Sequence, residues 1–384
     1  MMDRKGNKTR SSPDVLSKLP DNVIDGILMR LPFRDAVCTS ILSKKWRYKW
    51  LRLPITKFTL SFQYRKSCPP IDNLLHFLSK KGIQHLVLRL PRRFKMPYLF
   101  FTCLKLRHLY LQNCLLLPPI AFKGFDWLIS LELHDVTIYS KGLESLISNC
   151  SLLEQLVLNI SDALSDIIEI NAPVLKSCDF MGDMATICLK CVPRLAKLSL
   201  THYRKDWKKF DVVNFLTSNF FKSCSDLEHL HLNYTVPLAR GQEIPTKLPL
   251  DLMCVKHLCM CIYLDRDEIL SALCLIRSFP FLRYLEIQME LNVMNSMPAL
   301  ECLEVEAFPD VIFKYLREVK LIEADGGMLE MQLIKILLAK SPALVRMLIN
   351  PHRFLKKSAI GKGLDKLTEF ERASPKAEVL VKLV

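Results

Sequence analysis

Apolar and polar positions follow two different rhythms along the chain. Over Leu19–Trp50 the sequence reads LPDNVIDGILMRLPFRDAVCTSILSKKWRYKW. Val23, Ile24, Ile27, Leu28 and Leu31 recur at helical spacing. Asp21, directly after Pro20, predicts an N-terminal cap for a helix running to about Met29, and Pro32 stops it. A short second helix is expected over Asp35–Ile41. Ser43 is placed to cap a third, which carries Trp46 and Trp50 on one face. So short a unit carries more large side chains than its own length readily encloses.

After Pro54 the rhythm changes. One phrase recurs: an apolar residue, two variable, an apolar, one variable, an apolar. It reads IQHLVL from Ile83, LRHLYL from Leu106, LISLEL from Leu128, LEQLVL from Leu153, LAKLSL from Leu195 and LEHLHL from Leu227. It returns as VKHLCM from Val255, LRYLEI from Leu282, LECLEV from Leu300 and LREVKL from Leu316, with a weaker copy, VLKSCDF, near Leu175. Starts lie 16 to 32 residues apart, which matches a leucine-rich repeat with one short strand per unit. No unit can bury its leucines alone, so neighbours must stack into a curved α/β solenoid. GLESLISNC (142–150) and DVVNFLTSNFFKSC (211–224) predict helices on the outer side. Beyond LREVKL, the pattern predicts a helix over 330–340, the segment SPALVRMLI, a further helix from Leu364 and a closing RASPKAEVLV. This segment is expected to cap the open end of the solenoid.

Composition narrows the function classes. Of 384 residues, 50% are hydrophobic, ample for a large core, and only 11 are Gly, which argues against a glycine-rich nucleotide fold. The net charge is +15, and residues 1–60 carry +8 of it. Such a basic stretch suits nucleic acid, anionic lipid or an acidic protein, and charge alone does not choose. The chain has 14 Cys and opens with a polar MMDRKGNKTRSSPD rather than an apolar leader, which predicts reduced thiols in cytoplasm and/or nucleus. KKWRYK (44–49) has the look of a nuclear import signal, but its place within a helix gives it a structural role. No apolar run approaches the ~18–20 residues a membrane span needs. Cys188 and Cys191 form a CxxC pair with no second pair at zinc spacing, so no metal is expected. GKG (361–363) lacks the phosphate-loop frame, and no GxSxG, HExxH or kinase set is present. Neither catalysis nor a cofactor is predicted. RKDWKKF (204–210) mixes bases and aromatics, but a basic loop explains it better than nucleic-acid binding.

Leu19-Pro20, Ile24, Ile27-Leu28, Leu31-Pro32, Asp35, Val37, Ser40, Leu42-Ser43, Trp46-Arg47 and Trp50 together resemble an F-box. Lys49 departs from the pattern, since many members carry an apolar residue there. The stretch LREVKLIEADGG…RASPKAEVLV resembles the FBD domain, and the order of parts resembles the plant F-box/FBD/LRR-repeat family. Residues 1–14 read as a disordered N-terminus, and the resemblance implies an F-box over 15–54, repeats over 55–309 and an FBD domain over 310–384. It implies a substrate-recognition subunit of an SCF-type cullin–RING ubiquitin ligase. Leu19, Pro20, Ile24, Leu28, Leu31 and Pro32 would contact a Skp-type adaptor, with Trp46 and Trp50 packing inward or toward the repeats.

The variable positions of the repeat strands face the concave side, the usual binding surface of a solenoid. They include His108, Tyr110, His134, His229, His231, Tyr284, Glu286 and Glu304, the candidates for target binding. His85 with His108, and His229 with His257, are expected side by side on neighbouring strands. Two rival readings remain at this point: a small-molecule, hormone-like receptor within such a ligase, and a nucleic-acid-binding or scaffold protein using the positive charge.

Overall fold

The structure is a computed structural model. It describes residues 18–31, 35, 38–39, 41–52, 55–62, 71–160, 167–202, 221–233, 253–263, 266–290, 312–324, 326–352, 367 and 369–382. Among them, thirteen parallel strands form one continuous sheet. In spatial order these are β1 (Lys57–Ser61), β2 (His85–Lys95), β3 (His108–Leu115), β4 (Ser130–His134) and β5 (Gln155–Asn159). Then come β7 (Ser177–Gly182), β9 (Lys197–His202), β10 (His229–Asn233), β11 (His257–Tyr263) and β12 (Tyr284–Glu290). The sheet ends with β13 (Glu318–Ala324), β14 (Arg346–Pro351) and β15 (Glu378–Val381). Every described copy of the repeated phrase delivers one of these strands, including the weak copy near Leu175, which becomes β7.

The strands alternate because one face is covered and the other open. Leu86 and Leu88, Leu131 and Leu133, Leu230 and Leu232, and Leu285 and Ile287 are all buried, while the residues between and beside them, the buried Ser130 excepted, are partly exposed or exposed. Register pairs leucine with leucine across strands, as in Leu230↔Leu258 and Leu109↔Leu131. A one-residue slip would turn the whole leucine set into solvent, so the hydrophobic pattern itself fixes the register. A parallel sheet is normally covered on both faces. Here short elements from the same repeats cover the outer face, and among the described residues no element covers the inner one.

Those outer elements vary from repeat to repeat. α3 (Asp72–Lys81) buries Leu75 and Leu78 and ends at Gly82, whose φ of 69° is a left-handed cap that favours glycine. α4 (Ser140–Ser148) matches the outer helix expected over 142–150 and buries Leu143, Leu146 and Ile147. Between β5 and β7 lies β6 (Ile168–Asn171), which pairs with β8 (Ile187–Cys191) in a separate two-stranded sheet. α5 (Arg266–Ser278) and α6 (Met328–Lys340) cover the later repeats. Near the start of α6, the buried Glu330 accepts a 2.9 Å hydrogen bond from the Gly326 N–H.

The C-terminal segment does more than sit on an open end. β13, β14 and β15 continue the same sheet in parallel register from β12. Ahead of β1, α1 (Asp21–Arg30) and α2 (Lys44–Arg52) pack through a cluster of their own. Of the short second helix expected over Asp35–Ile41, Asp35, Cys38 and Thr39 are helical, and 36, 37 and 40 lie outside the described residues. So do LECLEV from Leu300, most of 211–224 and the start of the helix expected from Leu364.

Candidate binding surfaces

The two N-terminal helices meet on Ile24, Leu28 and Trp46, with Leu19 and Leu31 packed against them. Ser43 caps α2 as expected, accepting the Trp46 N–H through Oγ at 3.4 Å. Asp21 does not cap α1. Pro20 occupies the cap position without a side-chain bond, and the Asp21 carboxylate instead meets Lys49 at 3.0 Å and Lys45 at 3.2 Å. Lys49 also reaches Asp25 at 3.2 Å, and the Lys45 ammonium donates to the Leu19 carbonyl at 2.6 Å. The lysine that breaks the apolar pattern is therefore a charged clasp between the helices. Lys49 holds the Asp21 carboxyl below its ordinary range, with Lys45 assisting, and Asp21 in turn raises the Lys49 pKa.

Of the six residues assigned to adaptor contact, Ile24 and Leu28 are buried inside the helix pair, Leu19 and Leu31 are half-buried beside it, and Pro20 is exposed. Pro32 lies outside the described residues, as does the Trp50 side chain. A second apolar set faces solvent: Val23, Ile27, Ile41, Leu42 and Tyr48. On α1 the two sets are adjacent stripes, Ile24 with Leu28 inward and Val23 with Ile27 outward. Both repeat at i, i+4, so spacing alone cannot say which faces the core.

The concave face carries rings in register. His85 and His108 pair across β2 and β3 and stack with centroids 4.3 Å apart. Tyr110 stacks on His134 at 4.8 Å, and the Arg89 guanidinium lies 4.9 Å from the Tyr110 ring. Farther along, His229 stacks on His257 at 4.1 Å, and His257 meets Tyr284 at 5.6 Å. Both expected histidine pairs thus form. Tyr284 donates to Glu286 at 2.6 Å, and Lys320 donates to the same oxygen at 3.0 Å. His231 is exposed one row over, beside Cys259. Glu304 falls outside the described residues. The candidates therefore divide into two groups, one over β2–β4 and one over β10–β13.

Burial lowers the pKa of His85, aided by His108, Lys57 and Arg107. Burial likewise lowers His229, with Lys197 adding to it, and His257, with His229 adding to it. Near neutral pH these three rings present uncharged π faces. Burial opposes ionisation of Glu286, yet the bonds from Tyr284 and Lys320 bring its carboxyl below the usual range. Burial and the neighbouring Glu286 push the Tyr284 phenol upward. Among the described residues, no three His, Cys, Asp or Glu side chains converge to hold a metal ion. Cys188 and Cys191 sit on the outer strand β8, half-buried and exposed.

Comparison with known proteins decides the family. An F-box domain model matches residues 16–58, and a model described as "FBD-associated F-box protein At5g56370, LRR repeats" matches residues 71–287. F-box/FBD/LRR-repeat protein At1g13570 of Arabidopsis thaliana is 33% identical, covering 96% of this chain and 98% of its own length. The chain belongs to the plant F-box/FBD/LRR-repeat family. F-box protein At5g03100 of Arabidopsis thaliana is 25% identical over 54% of the chain and 76% of its own length. Among solved structures, an internalin from Listeria monocytogenes aligns over 97% of this chain and 95% of its own, at 12% identity and a TM-score of 0.39.

In this F-box/FBD/LRR-repeat protein, sequence reading missed the outward stripe of α1 and the Lys49 clasp. The signal for the clasp was present: Asp21 and Asp25 are one turn apart on α1, and Lys45 and Lys49 one turn apart on α2. Matching i, i+4 pairs of opposite sign on neighbouring helices are a cue for charge pairing between them. No helix among the described residues is long and apolar enough to cross a membrane.

Proposed function

We propose that this chain is a non-catalytic substrate receptor of an SCF-type cullin–RING ubiquitin ligase, working in the cytoplasm or nucleus. Its F-box binds a Skp-type adaptor, and its repeat and C-terminal strands hold a target protein. The observation that carries this reading is the second apolar set of the F-box, Val23, Ile27, Ile41, Leu42 and Tyr48, exposed on a unit whose own core is already closed by Ile24, Leu28 and Trp46. Several large apolar side chains exposed on so small a unit call for a partner. On this reading Val23 and Ile27 make the contact, and Ile24 and Leu28 shape the helix that presents them. The chain contributes position: holding a target near the charged conjugating enzyme raises its effective concentration. Ubiquitin transfer belongs to other subunits.

Co-purification with a plant Skp-type adaptor tests it. Wild type is expected to form a stable complex, and Val23→Asp/Ile27→Asp to lose it while keeping the helix content and melting behaviour of the repeats. A wild-type chain that does not bind the adaptor, or a folded double variant that binds undiminished, refutes the proposal.

A further inference from the structure

Each described repeat enters its strand through a triplet in which a buried residue sits between two outward ones. The outward pair differs from repeat to repeat: Lys105 and Arg107, Leu152 and Glu154, Asp226 and Glu228, Ala343 and Val345. In two adjacent repeats it is an aromatic followed by arginine: Phe281-Leu282-Arg283 before β12 and Tyr315-Leu316-Arg317 before β13. Leu282 and Leu316 are buried, which fixes the turn and turns both neighbours outward.

The two copies lie side by side. The Arg283 N–H donates to the Lys256 carbonyl at 2.8 Å, and the Arg317 N–H to the Arg283 carbonyl at 2.9 Å. The Phe281 and Tyr315 rings are 5.3 Å apart, are 40% and 39% exposed, and have the Lys314 ammonium 5.5 Å from the Tyr315 ring. Nearby bases are neutralised: Lys256 pairs with Glu228, and Arg346 lies 3.9 Å from Glu318. Arg283 and Arg317 have no acidic partner among the described residues.

We infer that this strand-entry rim docks an anionic peptide segment that also carries an aromatic or bulky apolar residue. Two arginines on adjacent strand entries suit an anion, since each guanidinium can meet carboxylate or phosphate through paired hydrogen bonds. Exposed aromatics beside arginine are the residue types that dominate interface energies. Glu228, Glu286 and Glu318 are each paired with a base, Lys256, Lys320 and Arg346, so the unpaired positive surface is short and fits a short anionic segment better than an extended polyanion such as RNA. The inference rests on the reading of the chain as a target receptor and names the chemistry of the segment it holds.

The test pans a random twelve-residue peptide library displayed on phage against the full chain bound to its adaptor, in parallel with Arg283→Glu/Arg317→Glu. Wild type is expected to enrich peptides that combine Asp or Glu with an aromatic, and the reversal to lose them. Synthetic winners should bind at least tenfold more weakly to the reversal and to Phe281→Ser/Tyr315→Ser, and more weakly as salt rises. Replacing the key acid by phosphoserine separates the two sources: tighter binding assigns phosphate, weaker binding assigns carboxylate. No acidic enrichment, equal binding to the reversal, or a single-stranded RNA that binds the same arginines in preference to the peptides overturns the inference. Adaptor binding is followed throughout; its retention alongside a failed selection sinks this inference alone, and its loss in wild type sinks the receptor reading.

Discussion

Ile24→Ala separates a packing role from a contact role within the F-box. The cluster joining α1 and α2 contains three buried side chains, and Ile24 is fully enclosed. Truncating a buried isoleucine costs about 2–5 kcal/mol, and a cluster this small has little else to hold it. At 1.4 kcal/mol per tenfold, that loss of about 2–5 kcal/mol opens the helix pair about 30- to 4,000-fold more often. Hydrogen exchange by mass spectrometry on α1 peptides reads that directly, with the strand peptides of β3–β5 as an internal control expected to stay unchanged. Adaptor at a hundred times its Kd should restore about 2.7 kcal/mol of protection, because it binds only the folded form. Ile27→Ala should behave oppositely. Its side chain is exposed, so stability should move by no more than about 0.5 kcal/mol. The adaptor Kd should rise about five- to thirtyfold as about 1–2 kcal/mol of contact is lost. The reasoning fails if Ile24→Ala leaves α1 protection intact while abolishing binding, or if Ile27→Ala opens the helix as much as Ile24→Ala does.

His229 and His257 should both titrate below the ordinary value near 6.5 in an NMR pH series, and His229→Gln should move His257 upward without fully restoring it, since burial is the larger cause. Because the folded form binds fewer protons than the unfolded one there, stability should fall as pH drops below about 6.5, and fall less in His229→Gln/His257→Gln, as denaturant melts at pH 7.5 and 5.5 would show. Gly124→Ala should destabilise by about 1–3 kcal/mol, since φ is +93° and the new Cβ would lie 2.5 Å from the Asn149 carbonyl oxygen, whereas Gly26→Ala, in α1 with open space around it, should stabilise by about 0.5–1 kcal/mol. Under native conditions an aromatic disulfide reagent should label exposed Cys38, Cys191 and Cys254 first. Burial pushes the thiols of Cys103, Cys114, Cys178 and Cys224 up to about 12, and these should react only on unfolding.

The repeat array was legible because its signal is local and redundant. Each phrase such as LEHLHL fixes a strand, its inward face and its register to the next. Even the degraded copy at 175 kept a buried Leu175, Cys178 and Phe180 in place. The paired histidines followed from the same bookkeeping of positions, because a residue's row is set by its distance from the leucines. What could not be read was any choice between equivalent surfaces. α1 offers two apolar stripes, and the sequence gives no reason to turn Ile24 rather than Val23 inward. That choice belongs to Trp46, which fills the space opposite. Asp21 had a good local use as a cap and a better distant one with Lys49.

By itself, then, the sequence determined the periodic part of this protein: the strands, their spacing, the leucine core and the rows that face the concave side. The physical reason is that alternation on a strand is a property of neighbours in the chain. Only the tertiary structure decided that the C-terminal segment extends the sheet instead of merely covering its end. It also decided which half of the F-box is core and which is surface, and that Arg283 and Arg317 stand on adjacent strand entries without an acidic partner among the described residues. Those outcomes depend on side chains brought together from separate elements, where packing and charge select one of several locally equal arrangements.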